Sequence, residues 1–165
     1  AEDRRGGGAN AAARRHYAVR QAMVQDATAV RATVPSRLKV FVSAGDSVDV
    51  KRAVLDPVVK IARWAALSSG STALATGQRL DDGAAAGVLD GDDAATLHEC
   101  HQWLTRFRWQ GRVANLQAGR AGGDVITLGD LSPQDRAALR GVAREVSGVM
   151  RKLAYLSSIS AFADR

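Results

Sequence analysis

Residues 132–160 read SPQDRAALRGVAREVSGVMRKLAYLSSIS. Ser132 followed by Pro133 marks a helix start: a hydroxyl can accept from an N–H that has no partner in the first turn, and proline there forfeits no hydrogen bond. Asp135 adds negative charge at the positive end of that helix. Val142, Val146, Val149, Leu153, Leu156 and Ser160 then recur at alternating spacings of four and three. Such a row is the seam of a helix packed at a shallow angle in a bundle. The stretch predicts a long final helix that has to find partners elsewhere in the chain.

Working outward, Asp90 or Asp92 caps a preceding helix that runs to about Ala118. Its stripe is Leu97, His101, Leu104, Arg108 and Gly111, with Cys100, Phe107 and Ala114 beside it. Asp56-Pro57 opens an earlier helix that stops at Gly70, and Ser71 or Thr72 opens another that stops at Gly87. Asn10 to Thr33 reads as the first helix, with Pro35 beyond its end. Residues 37–43 carry the strongest alternation, and one short extended segment cannot make a sheet alone. The expected fold is all-α, an antiparallel up-and-down bundle of four to five helices with that one extended segment. Residues 1–9, with Arg4-Arg5-Gly6-Gly7-Gly8, read as a flexible linker, and residues 10–165 as a single helical bundle domain. Opening on Ala1 and a linker-like run, the chain is expected to continue upstream in its natural polypeptide.

Composition fits this architecture. Hydrophobic residues make up 46% of the 165 and aromatics only 5%, so Ala, Val and Leu dominate and helices can pack closely. Lys and Arg number 23 against 17 Asp and Glu, and the net charge of +6 favours polyanionic partners such as nucleotides, nucleic acid or an acidic domain. Cys100 is the only cysteine, which rules out an internal disulfide and points to a reducing cytoplasm. No apolar run approaches the ~20 residues of a membrane span, and no secretory leader is legible.

The motifs that carry chemistry are few. His98-Glu99-Cys100-His101 puts two imidazoles three apart, whereas the zinc-protease pattern needs four, so no metal site is expected. Asp81-Asp82, Asp90 and Asp92-Asp93 fall at helix ends, where carboxylates cap N–H groups. Neither Gly70-Ser71-Thr72 nor Gly6-Gly7-Gly8 has the lysine and hydroxyl of a phosphate loop. No serine sits in a nucleophile elbow, so no catalytic residue is assigned. Two arginine groups stand out, Arg106, Arg108 and Arg112 on one helix and Arg136, Arg140, Arg144 and Arg151 on the last. Trp103 and Trp109 share the first group's helix and are candidates to stack on a base or to pack on a neighbouring domain.

Several short motifs occur together in order: Asp49-Val50-Lys51-Arg52, Leu55-Asp56-Pro57-Val58-Val59, Ala62-Arg63, Ala66-Leu67, Ala86-Gly87-Val88-Leu89, Arg106-Phe107-Arg108-Trp109-Gln110, and the helix from Leu131-Ser132 to Leu156. From near Pro35 to Phe162 the chain resembles the bacterial family called the putative nucleotidyltransferase substrate-binding domain. It departs from the family pattern at Ala53-Val54, where glycine is usual, and at Trp109, where a histidine is common, so no role of that histidine carries over.

The resemblance implies a helical accessory domain at the C-terminal end of a signalling polypeptide that also holds CBS or cyclic-nucleotide-binding regulatory domains and a nucleotidyltransferase palm. Magnesium and nucleotide are implied for that separate palm, and no cofactor for this chain. Asp46-Ser47-Val48-Asp49 supplies neither the Gly-Ser turn nor the paired strands of a palm, so the chain alone is expected to be non-catalytic. The expected substrate or anion contacts are Lys51, Arg52, Arg106 and Arg108, with Asp49 orienting one of them or capping the next turn. Two other classes compete: a dimerisation or signal-relay module whose seam is shared between chains, and a basic helical nucleic-acid-binding domain whose affinity would fall steeply with salt.

Overall fold

The computed structural model describes residues 3–29, 32 and 47–163, with side chains for 16–29, 32 and 47–159. Five α-helices are present among them: α1 (Asp3–Thr28), α2 (Asp56–Ser69), α3 (Thr76–Ala85), α4 (Gly91–Gln117) and α5 (Pro133–Ala163). A π-helical turn, Lys51–Leu55, leads directly into α2. Two short strands, β1 (Ser47–Asp49) and β2 (Val125–Thr127), pair antiparallel with Val48 opposite Ile126. A 3-10 turn, Leu128–Asp130, joins β2 to the approach of α5. The extended segment expected at 37–43 lies outside the described residues.

Consecutive helices are neighbours in space, α1 on α2, α2 on α3, α3 on α4 and α4 on α5, and α5 returns to α1 to close the circuit. The core is apolar throughout: Ile61 of α2, Leu80 of α3, Leu97 and Leu104 of α4, and Leu139 and Val146 of α5 are fully covered. No described polar or charged residue is buried as a whole. The seam of α5 is in place through Val146, Val149 and Leu153, but Leu156 is 51% exposed. Past Leu153 the contact with α1 becomes partial: Gln21 still bonds Ser157, while Leu156 stands half in solvent.

Local chemistry accounts for the boundaries. Ser132 Oγ accepts from the Asp135 N–H at 3.0 Å and donates to Asp135 Oδ2 at 2.6 Å, the expected cap of α5. Asp90 Oδ1 likewise accepts from the N–H groups of Asp92 and Asp93 at the head of α4. Gly70 ends α2 at φ +72°, and Ser71 N–H reaches back to the Ala66 carbonyl at 2.9 Å, a closure that glycine adopts without strain. α3 begins later than Ser71 or Thr72, at Thr76, because Ser71 Oγ is engaged instead by Ala73 N–H and Asp82, which holds the intervening residues in a loop.

Three further expectations are corrected. α1 starts at Asp3, so residues 3–9 are helical rather than a flexible linker; once nucleated, a helix carries glycine at roughly 1 kcal/mol each. Asp56 does not cap α2, since the chain arrives already helical and Asp56 N–H donates to the Lys51 carbonyl five residues back. Pro57 explains the wider turn: it has no N–H for the carbonyl four residues back, and its ring crowds that carbonyl. Third, Ser47–Asp49 is a paired strand, and its partner lies far away in sequence.

Gly77 and Gly83, unfavourable inside a helix, have a packing reason. A Cβ on Gly83 would stand 2.7 Å from Ala65 Cβ of α2, and one on Gly77 would stand 2.7 Å from the His98 ring of α4. Both glycines let α3 approach its neighbours closely.

The seam yields a paired prediction. Val146→Asp and Leu153→Asp each place an unpaired charge in the core and should cost about 4 kcal/mol or more, abolishing cooperative melting. Leu156→Asp, at a position 51% exposed, should stay within about 0.5 kcal/mol of the parent. Thermal melts followed by far-UV circular dichroism check it; three equal melting curves would refute the burial pattern.

Candidate functional site

The end of the bundle where β1, the π-helical turn and α4 meet is organised by Asp124. Its carboxylate accepts from Arg108 Nε at 2.8 Å and Arg108 Nη2 at 2.7 Å, and from Arg112 Nη2 at 3.2 Å. Arg108 and Arg112 are four apart on α4, so both guanidinium groups reach the same acid. The Asp124 carbonyl accepts from Val50 N–H at 3.0 Å, which carries the β1 pairing into the π-helical turn. The Asp124 and Arg108 side chains are only 14% and 18% exposed, whereas Arg112 is 44% exposed. Burial pushes the Asp124 carboxyl up, but the hydrogen bonds and charge of Arg108, then the charge of Arg112, outweigh it and hold the group below its ordinary value.

The expected site residues distribute unevenly around this clamp. Asp49, on β1, turns its carboxylate to the chain and accepts from Arg52 N–H at 3.0 Å, so it caps the turn that carries Lys51 and Arg52. Lys51 and Arg52 are exposed, and neither side chain has an ion pair among the described residues. Arg108 is committed to Asp124 and acts as an anchor more than as a free cation. Arg106 is not part of this group: two residues along a helix turn a side chain by roughly 200°. It lines a separate groove between α4 and α5 with Glu99 and Glu145. Asp124 itself was unassigned from sequence, where it reads as the end of a Gly-Gly loop.

Beside the clamp lies a cleft of about 250 Å³, with Val50, Phe107, Gly111, Asp124, Ile126 and Leu131 among its lining residues. Trp103 stacks on Phe107, with ring centroids 4.8 Å apart and planes at 12°. Trp109 points away from the core and is 67% exposed.

The remaining motifs have structural roles. His98 Nδ1 lies 3.3 Å from Asp81 Oδ1, joining α4 to α3. Burial, and then the neighbouring His98, lower the pKa of His101. Cys100 is buried, and burial followed by the charges of Glu145 and Glu99 raises its thiol to about 11, which keeps it neutral. Ser71 and Gln78 donate to Asp82 and lower its pKa. Lys152 joins Asp93 at 2.8 Å and ties α5 to the head of α4. In the α5 row, Arg136 donates to the Leu131 carbonyl at 2.8 Å, and Arg144 and Arg151 are exposed. No group of three His, Cys, Asp or Glu side chains converges among the described residues.

Asp124→Asn removes the charge that two arginines face and should destabilise the domain by ~2 kcal/mol, somewhat below the cost of breaking a fully buried pair. Because the folded-state pKa is depressed, the carboxylate's contribution is complete above its ordinary value of 3.8 and disappears as pH falls through the lowered value. The melting-temperature gap between parent and variant should thus be widest near neutrality and close on acidification below about pH 4. A gap that is constant from pH 7 to pH 2 would contradict the clamp.

No curated protein and no solved structure matches the chain. Among protein families, the one described as Putative nucleotidyltransferase substrate binding domain matches residues 14–156, from within α1 to the exposed part of α5. The match takes in the clamp, the cleft and the turn bearing Lys51 and Arg52, and the chain belongs to this nucleotidyltransferase substrate-binding domain family.

Proposed function

We propose that the domain is a non-catalytic module of a nucleotidyltransferase protein that packs beside a catalytic palm and holds the phosphates of a nucleotide with Lys51 and Arg52. The observation that supports this reading is the contrast between the two cations and their base. The side chains are exposed and unpaired among the described residues, while their turn is fixed by Asp49 Oδ1 and by the bond from Val50 N–H to Asp124. Donors held on a rigid turn lose little freedom when an anion binds. Arg108 and Arg112 add positive potential behind them, partly offset by Asp124.

The magnesium that nucleotidyl transfer uses has no fitting donor set among the described residues. Asp49 and Asp124 already accept from protein donors, and no third carboxylate joins them. The chemistry is assigned to the palm, and a place beside regulatory domains in a cytoplasmic bacterial signalling polypeptide belongs to the same proposal. None of the described helices is long and apolar enough to cross a membrane.

A dimerisation or relay role has one observation in its favour: Tyr155, Leu156 and Ile159, near the end of α5, are 66%, 51% and 47% exposed. Together with Tyr17 of α1, 37% exposed, they form an apolar end that a second copy would cover, and a mass that grows with concentration would reveal it.

For the leading reading, the chain is titrated with inorganic triphosphate by calorimetry. Lys51→Ala combined with Arg52→Ala should weaken binding at least ~10-fold, since each charge-assisted hydrogen bond is worth about 1.5–3 kcal/mol. The melting temperature should be unchanged, because both positions are exposed. Equal binding by parent and variant would refute the anion site.

A further inference from the structure

The cleft beside the clamp has features that anion binding does not use. On α4, Phe107, Gly111 and Ala114 line it at spacings of four and three, so they stand on one face of the helix. Gly111 leaves a gap in that face: a Cβ built there meets no atom within 4 Å. Trp103 covers one face of the Phe107 ring and does not line the cleft, so Phe107 meets the cleft with its other face or its edge. Both presentations suit a second planar ring. Opposite stand the apolar side chains of Val50, Ile126 and Leu131.

Of the polar residues lining this cleft, Arg108 and Asp124 bond each other. Gln110 and Asn115 also line it, and neither makes a side-chain hydrogen bond among the described residues. A carboxamide offers a donor and an acceptor side by side, the pattern that reads the edge of a nucleobase. Asp135 also lines the cleft, with Oδ2 taken by Ser132. At about 250 Å³ the space falls below the roughly 300–1,000 Å³ of sites that enclose a drug-sized ligand, which limits the occupant to a single ring system. Val50 lines the cleft and is the residue before Lys51 in the chain.

We infer that this cleft is a nucleobase site, in which a planar nitrogen heterocycle packs against Phe107 and is read by Gln110 and Asn115. The inference names the substrate class of the proposed site and rests on that reading, with base and phosphate held by separate groups. Phe107 supplies contact area, the carboxamides supply edge recognition, and Lys51 and Arg52 supply charge.

The test uses uncharged ligands first. The four common ribonucleosides are titrated into the isotope-labelled chain while the side-chain amide signals of Gln110 and Asn115 are followed by NMR. At least one nucleoside should shift both signals saturably. Gly111→Leu fills the cleft from a position with open space above it, suits a helix better than glycine, and should weaken that nucleoside at least 10-fold without lowering the melting temperature. Phe107→Leu and Asn115→Ala serve as second variants, each expected to weaken binding several-fold. Silence of both amides with all four nucleosides, or parent-like binding by Gly111→Leu, overturns the inference. Triphosphate binding that needs Lys51 and Arg52 without any nucleoside binding would leave the anion site and remove this one. Nucleoside binding with triphosphate binding indifferent to Lys51→Ala and Arg52→Ala would do the reverse.

Discussion

Asp124 joins α4, the β ribbon and the π-helical turn at one point. Its side chain receives Arg108 and Arg112 from α4, and its carbonyl receives Val50 from the start of the π-helical turn. Without that carboxylate two guanidinium groups would face one another across a largely covered space, so the acid is needed by both arginines as much as they are by it. The short β1–β2 ribbon would not persist alone, because two three-residue strands bury too little to offset their ordering. The clamp and the covered Leu128 side chain hold the ribbon against the bundle.

The bundle itself is held by a different kind of force. Among the described residues its interior has no wholly buried polar one, and small side chains on α2, α3 and α5 bring the helices close: Ala62, Ala65, Gly83 and Ala143 are all covered. Apolar burial at about 25 cal/mol per Å² is non-directional, so it fixes which faces meet without fixing fine register. Register comes from the polar ties at the margins. Gln21 donates to Ser157 Oγ at 2.7 Å between α1 and α5, Lys60 meets Asp26 at 2.9 Å between α2 and α1, and Lys152 meets Asp93 between α5 and α4. Such exposed ties contribute little to stability individually.

Where the determinant was local, it could be read in the sequence. Gly70, Gly87, Asp90 and Ser132-Pro133 mark helix ends because each acts within a turn of itself, and the structure places boundaries at all of them. The α5 seam was legible as far as Leu153, but periodicity cannot tell which positions the neighbouring helices cover, and Leu156 is 51% exposed beside α1. The Ser47–Asp49 strand was hidden because three residues carry no period, and their partner is a distant Val-Ile-Thr run behind a Gly-Gly loop. Of the candidate residues, Lys51 and Arg52 were singled out through the family motif, whereas Arg106 was grouped with Arg108 by adjacency in sequence, which a helix turns into separation in space. A faint signal for Asp124 existed: two arginines four apart on one helix face call for an acid outside that helix.

The two halves of α4 account for the place of the proposed site at this end. Ala94, Leu97, Cys100 and Leu104 are buried, and no residue of α4 beyond Leu104 is. The first half is part of the core, while the second projects past it and is positioned by Arg108, Arg112 and the partial cover of Phe107. Segments with few buried contacts open at lower free energy than the core, and ligand-binding surfaces are drawn from them. Here the same half-helix carries both the anchor and one wall of the cleft. A molecule that fills the cleft adds contacts where the protein has fewest, and by linkage it stabilises the clamp, the ribbon and the cationic turn together.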